Sequence, residues 1–156
     1  MARTGTVLRN TKETQIEVVV NLDGGDVNVK TGIGFFDHML TAFGFYAKIG
    51  LTVQATGDLY VDGHHTVEDV GICLGLALKQ ALGDRAGIRR FGSCYVPMDE
   101  ALTFTALDFS NRPYLVFDAS MPQERICEYD SCLTVEFMRA LAMNAGITLH
   151  QKCFYG

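Results

Sequence analysis

Gly50-Leu51-Thr52-Val53 is echoed by Gly146-Ile147-Thr148-Leu149, 96 residues further on (50 to 146). The segments before them share a second pattern, His38-Met39-Leu40-x-Ala42 against Glu136-Phe137-Met138-x-Ala140. Earlier still, Glu13 followed by Asn21-Leu22-Asp23-Gly24 matches Glu100 followed by Asp108-Phe109-Ser110-Asn111, both 87 residues apart (13 to 100, 21 to 108). One tetrapeptide recurs easily by chance. Three matches in the same order point to a duplication, and such self-similarity decides the architecture before any single element does. The chain reads as one domain, 1–156, with repeat one at about 1–88 and repeat two at about 89–156.

Around these anchors the elements follow from periodicity. Ile16, Val18, Val20 and Leu22 alternate with polar residues as a half-buried strand does, and Leu22-Asp23-Gly24-Gly25-Asp26 supplies a turn before a short strand to Lys30. Phe36, Met39, Leu40, Phe43 and Ala47 recur at helical spacing over 35–47, and Leu51, Val53 and Ala55 alternate as a strand. The apolar stripe Val67, Val70, Leu74, Leu78 and Leu82 predicts a helix over 64–82, with Gly83 as its C-terminal cap. In the second half, 102–109 and 114–119 read as strands, Leu133 to Leu141 as a helix and 147–153 as a last strand. The duplication places a counterpart of the helix at 64 near residue 160 (64 plus 96), past Gly156, so the second repeat is expected to lack its last helix and the natural polypeptide to run on.

Composition bounds the function. At 156 residues, 48% hydrophobic and 20% charged, the chain is an ordinary globular domain. A net charge of −5 argues against nucleic acid or an anionic membrane as the main partner. No apolar run reaches the ~18 residues of a membrane span, and Met1 to Gly5 has no apolar core of a secretory signal. A cytoplasmic protein is expected. Five cysteines without a C-x-x-C pair indicate neither a disulfide framework nor a zinc ribbon, but reduced, mostly buried thiols.

The chemistry concentrates at His64-His65-Thr66-Val67-Glu68. On a helix, His64 and Glu68 lie four apart on one face and can reach one ion, while His65, rotated by about 100°, points elsewhere. Imidazole with carboxylate suits Mn, Fe, Ni or Zn, and Asp62 and Asp69 are candidate partners for the ring nitrogens. The bland alternative is a polar helix start. His38 alone reads as a core histidine, but the repeat matches it to Glu136, another possible ligand, and a two-metal site is the economical reading. Arg89, Arg90 and Arg112 are the candidates for holding a phosphate, since guanidinium forks match its oxygens. Glu13 and Glu100 are matched acids at strand edges.

Gly-Ile-Gly-Phe-Phe-Asp-His-Met-Leu (32–40), Asp-Gly-His-His-Thr-Val-Glu-Asp (62–69), Arg-Arg-Phe-Gly (89–92), Met-Asp-Glu-Ala (98–101), Asn-Arg-Pro-Tyr (111–114) and Asn-Ala-Gly-Ile-Thr-Leu-His (144–150) together resemble the imidazoleglycerol-phosphate dehydratase family of histidine biosynthesis. The resemblance implies an α+β fold that duplicates a four-stranded sheet with two helices on one face (ribosomal protein S5 domain 2-like repeats). It also implies a homo-oligomeric shell of 24 subunits with two Mn(II) per active site between subunits. Carried over by position, His38, His64, His65, Glu68 and Glu136 would bind metal, and Glu13, Arg90 and Arg112 would contact substrate. Glu13, His64, His65 and Glu68 would form the catalytic set. The implied reaction dehydrates D-erythro-imidazoleglycerol phosphate to imidazoleacetol phosphate, the metals supplying Lewis-acid charge. The family's second His-His-x-x-Glu and its basic tail with a phosphate-binding Lys are not among residues 1–156, Glu136 stands where many members carry His, and Gly63 replaces a common Asp. Rival readings are a two-metal phosphoesterase and a metal-assembled but inactive form of the enzyme.

Overall fold

A computed structural model describes residues 3–156. The first unit runs β1 (Thr4–Asn10), β2 (Thr14–Asn21), β3 (Val27–Lys30), α1 (Gly34–Ala47), β4 (Gly50–Gly57) and α2 (His64–Leu82). The second runs β5 (Phe91–Met98), β6 (Ala101–Asp108), β7 (Tyr114–Asp118), a small hairpin of β8 (Arg125–Ile126) and β9 (Tyr129–Asp130), α3 (Leu133–Ala145) and β10 (Thr148–Tyr155). The two sheets have one topology: β1-β2-β4-β3 in the first and β5-β6-β10-β7 in the second, each with its last pair parallel and the rest antiparallel. The duplication expected from sequence is therefore present. Among the described residues the second unit has no helix after β10.

The strand register corrects the repeat alignment. Val53 pairs with Val18 in the first sheet and Leu149 with Leu107 in the second, while α1 and α3 end one residue before left-handed caps at Lys48 and Gly146. The amide of Ile49 donates to Gly44 O and that of Ile147 to Ala142 O. These cap bonds match at a spacing of 98 (49 to 147), the spacing of the His38–Glu136 helix match, whereas the tetrapeptide echo has 96. The echo is slipped by two residues. Because side chains alternate with period two along a strand, a slip of two keeps the same face inward and leaves the hydrophobic pattern unable to reveal it.

The core forms where α2 lies on the first sheet. Ile16, Val18 and Val20 of β2 and Leu51 and Val53 of β4 point at Val67, Val70, Leu74 and Ala77 of α2, and all are buried. α3 crosses α2 closely, because Gly71 and Gly75 present no side chain there. A Cβ at Gly71 would lie 2.9 Å from Phe137 O, and one at Gly75 would lie 2.8 Å from Leu141 O. Phe36 of α1 meets Phe137 of α3 edge-on at 5.2 Å and stacks with Tyr129 of β9 at 5.9 Å, so the hairpin closes the seam between the units.

The inner face of the second sheet is open. It borders an apolar groove of about 590 Å³ lined by Phe36, Met39, Phe43, Leu107, Phe109 and Leu149 among others. The edge strands β1 and β5 and the β8–β9 hairpin were not apparent from periodicity. The cysteines correct another expectation: only Cys73 is buried, Cys153 is half-buried, and Cys94, Cys127 and Cys132 are exposed, all as free thiols. Burial pushes the Cys73 thiol up to about 11. No helix among the described residues is long and apolar enough to cross a membrane.

Candidate active site

The start of α2 gathers the titratable groups. Asp62 Oδ1 accepts a hydrogen bond from the His64 amide at 2.8 Å, which satisfies one of the donors left free at a helix N-terminus. The helical turn then brings His64 Nε2 within 3.7 Å of Glu68 Oε2. The two rings of His64 and His65 are perpendicular with centroids 6.1 Å apart, so they face different directions as the 100° step requires.

His65 has a partner that periodicity could not reveal. Its Nδ1 lies 2.9 Å from Oδ2 of Asp58, the residue after β4. That hydrogen bond raises the pKa of His65 above its ordinary value, desolvation opposes it, and the charges of Asp58, Glu13 and Asp62 add to the rise. Glu13 is thus within electrostatic reach of the ring. It sits in the turn between β1 and β2, one residue before Thr14, whose hydroxyl donates to Asp69 Oδ2 at 2.5 Å. Asp69, buried on α2, also forms an ion pair with Arg9 of β1 at 3.0 Å. These contacts bolt the first turn of α2 to both strands and hold Glu13 beside it.

The expectation that Asp62 and Asp69 partner the histidine rings is therefore corrected. Asp62 caps the backbone, Asp69 serves the strands, and Asp58 takes the ring. Asp58 stands seven residues before His65, at the end of a strand, and only the β4–α2 turn brings the two together.

The remaining candidates lie elsewhere on the surface. His38 is exposed near the start of α1, where its neighbour Asp37 accepts hydrogen bonds from the Thr31 amide and hydroxyl. Glu136 accepts from Arg139 at 2.6 Å along α3. Arg90 binds Asp108 through both Nε, at 2.6 Å, and Nη2, at 2.9 Å, and Arg112 Nη2 lies 3.9 Å from the same carboxylate. The structure thus brings the two candidate phosphate contacts together around one acid. Arg90 first, then Arg112, holds the Asp108 carboxyl below the usual carboxylate range. Among the described residues no three His, Cys, Asp or Glu side chains approach closely enough to enclose an ion. His64 and Glu68 are a pair of such side chains without a third beside them among the described residues.

A family model described as imidazoleglycerol-phosphate dehydratase matches residues 31–156. The chain is 57% identical over 155 residues to the imidazoleglycerol-phosphate dehydratase of Rhodopseudomonas palustris (strain BisB5), covering 99% of this chain and 79% of that protein. The chain belongs to the imidazoleglycerol-phosphate dehydratase family. It is 56% identical to the enzyme of that name from Ruminiclostridium cellulolyticum, over 99% of this chain and 80% of the relative. The crystal structure of imidazoleglycerol-phosphate dehydratase from Staphylococcus aureus superposes with a TM-score of 0.89 at 36% identity, covering 98% of this chain and 85% of that one. Membership in this dehydratase family makes the chain a hydro-lyase by class. The duplicated fold is the one its structural relatives share.

Proposed function

We propose that the chain removes water from D-erythro-imidazoleglycerol phosphate to give imidazoleacetol phosphate, a step of histidine biosynthesis. The observation that supports this most is the cluster of His64, His65, Glu68 and Glu13 at the head of α2 in a chain 57% identical to a protein of that name. A dehydratase must take a proton from one carbon and pass one to the departing hydroxyl. On this reading Glu13 does that work, supported by its exposure, its anchorage through Thr14 to Asp69 and its charge acting on His65. Arg90 and Arg112 offer forked donors to the phosphate, with Asp108 holding them together until it arrives.

The donor chemistry of His64 and Glu68 fits Mn(II), as does that of His65 and His38. His38, His64, His65, Glu68 and Glu136 would hold Mn(II), which would supply Lewis-acid charge to the site. Glu136 must release Arg139 to take part. Among the described residues one chain brings His64 and Glu68 together without a third such donor, which supports a homo-oligomer, on this reading a 24-subunit shell, with sites completed between subunits. The same observation favours a second reading, in which the ion assembles the chains without turnover.

The deciding experiment is turnover of imidazoleglycerol phosphate by the purified chain with and without Mn(II). Mn(II)-dependent particle growth with no substrate consumed selects the second reading. Glu13→Gln should lower kcat by about 10²–10⁴ while metal content stays unchanged. Normal turnover in that variant removes Glu13 from the mechanism.

A further inference from the structure

His64 and His65 are adjacent in sequence yet held in opposite ways. The ring of His64 makes no hydrogen bond among the described residues, and its Nε2 faces Glu68 at 3.7 Å. His65 is as exposed as its neighbour, at 46% against 44%, so burial does not fix its ring. Asp58 does. The Asp58 side chain is only 13% exposed, with Oδ2 2.9 Å from His65 Nδ1 and Oδ1 buried without a hydrogen-bond partner among the described residues. Its side-chain hydrogen bonding is therefore directed at one atom of one ring.

An ionised carboxylate only accepts, so the atom facing it must carry a proton. A neutral imidazole has one N–H, and if that proton is on Nδ1, the lone pair is on Nε2. We propose that Asp58 is the positioning residue of the site, fixing His65 in the Nδ1–H tautomer and presenting Nε2 as its lone-pair donor. His64, without such a partner, samples both tautomers. The assignment rests on the reading of His65 as a ligand, because only a group that binds through a lone pair gains from having that lone pair held in place. Groups that orient a ligating ring from behind commonly account for about 10–100-fold of metal affinity.

The tautomer can be read without metal, substrate or turnover. Long-range proton–nitrogen spectra of the chain labelled with 15N-histidine, at about pH 9 where neutral rings prevail, separate protonated from unprotonated ring nitrogens. His65→Gln identifies the His65 signals among four histidines. The expected result is His65 with Nδ1 protonated. In Asp58→Ala that preference is lost in favour of the Nε2–H form, and in Asp58→Asn, whose amide both donates and accepts, the two forms mix. Mn(II) titration should show binding about 10–100-fold weaker in Asp58→Ala, with the His64 ring signals unmoved.

If Asp58→Ala does not fold, the isosteric Asn variant decides. A wild-type His65 protonated on Nε2, or a tautomer ratio indifferent to both substitutions, overturns the proposal. So does unchanged Mn(II) affinity in a variant whose tautomer has shifted. A chain with the expected tautomer but no turnover of imidazoleglycerol phosphate would sink the functional reading and leave Asp58 its role. Normal turnover with a tautomer insensitive to Asp58 would do the reverse.

Discussion

The two sheets share one topology and have very different cores. In the first unit Ile16, Val18 and Val20 of β2 are 3%, 0% and 0% exposed beneath α2. Their counterparts 87 residues on are Thr103, Thr105 and Leu107 of β6, none of which is buried, and no helix lies over them among the described residues. Among the described residues backbone pairing is thus the same in both sheets, while burial is extensive in the first unit and limited in the second to a small cluster of Ala142, Ala145, Ile147 and Leu149. Hydrogen bonds specify the strand order in both sheets. The apolar area removed from water, the dominant stabilising contribution, is concentrated where α2 closes on the first sheet and meets α3.

The largest expected consequence is in matched core substitutions. Leu51 and Leu149 occupy equivalent places in β4 and β10 and are 1% and 4% exposed. Leu51→Ala should cost about 2–5 kcal/mol, because deleting a buried side chain loses its transfer energy and leaves a cavity its neighbours cannot fill. Leu149 borders the 590 Å³ groove, so part of its surroundings is already void, and its truncation should cost less than half as much. Urea unfolding of both variants measures the pair. Equal losses would mean that the second unit is as closely packed as the first.

The same contrast explains what was legible in the sequence. Alternation and helical stripes are strongest where one face of an element is covered, as in β2, β4, α1, α2 and α3, while β6 and β7 were readable from their apolar runs although neither has a buried residue. β1 turns Gly5 toward α2 in place of a bulky side chain, and β5 has no buried residue at all, so neither writes a period-two signal. The β8–β9 hairpin, with strands of two residues, is too short for any period. At the site, the pairing of His64 with Glu68 was readable because one helix sets it. The contact of His65 with Asp58 depends on the path of the turn after β4, and that of Asp69 with Thr14 on packing across 55 residues. Side chains that meet through tertiary structure leave no periodic trace.

A smaller effect separates the two helix caps. Lys48 ends α1 at φ 56° and Gly146 ends α3 at φ 67°. A residue with a Cβ pays roughly 1–2 kcal/mol in this left-handed region, of which a glycine's extra freedom in the unfolded chain returns about 0.5–1. Lys48→Gly should therefore stabilise the chain by a few tenths to about 1 kcal/mol. The reverse change is not its mirror image. A Cβ at Gly146 would sit 2.7 Å from Asn111 Oδ1 and 3.2 Å from Arg85 Nη2, so Gly146→Ala adds crowding to strain and should lose more than Lys48→Gly gains. Thermal unfolding of the two single variants tests the asymmetry. Equal and opposite shifts would show that the Asn111 and Arg85 side chains yield freely.

The smallest effect is electrostatic, present at neutral pH and lost in acid. Arg3 pairs with Asp23 in the first unit, and Arg90, 87 residues on, pairs with Asp108 in the second. Both carboxyls titrate below their ordinary value, Asp23 chiefly through the Arg3 amide and then its guanidinium, Asp108 chiefly through the Arg90 guanidinium. A carboxyl whose pKa is lower in the folded state than in the unfolded one adds stability that is complete above the unfolded value, about 3.9, and lost as pH falls through the folded value. Asp108→Asn should therefore be less stable than the parent at neutral pH by a small, salt-screened margin. That margin should shrink below about pH 4 and vanish once Asp108 itself is protonated. The Arg112 charge adds to the lowering at Asp108 and the Arg3 amide leads it at Asp23, so both variants should show such a margin and lose it in acid. Denaturant midpoints of the two variants from pH 7 to pH 2 compare them directly. A margin for Asp108→Asn that grew on acidification would have the wrong sign for a paired carboxylate and would exclude Arg90 as its partner in solution.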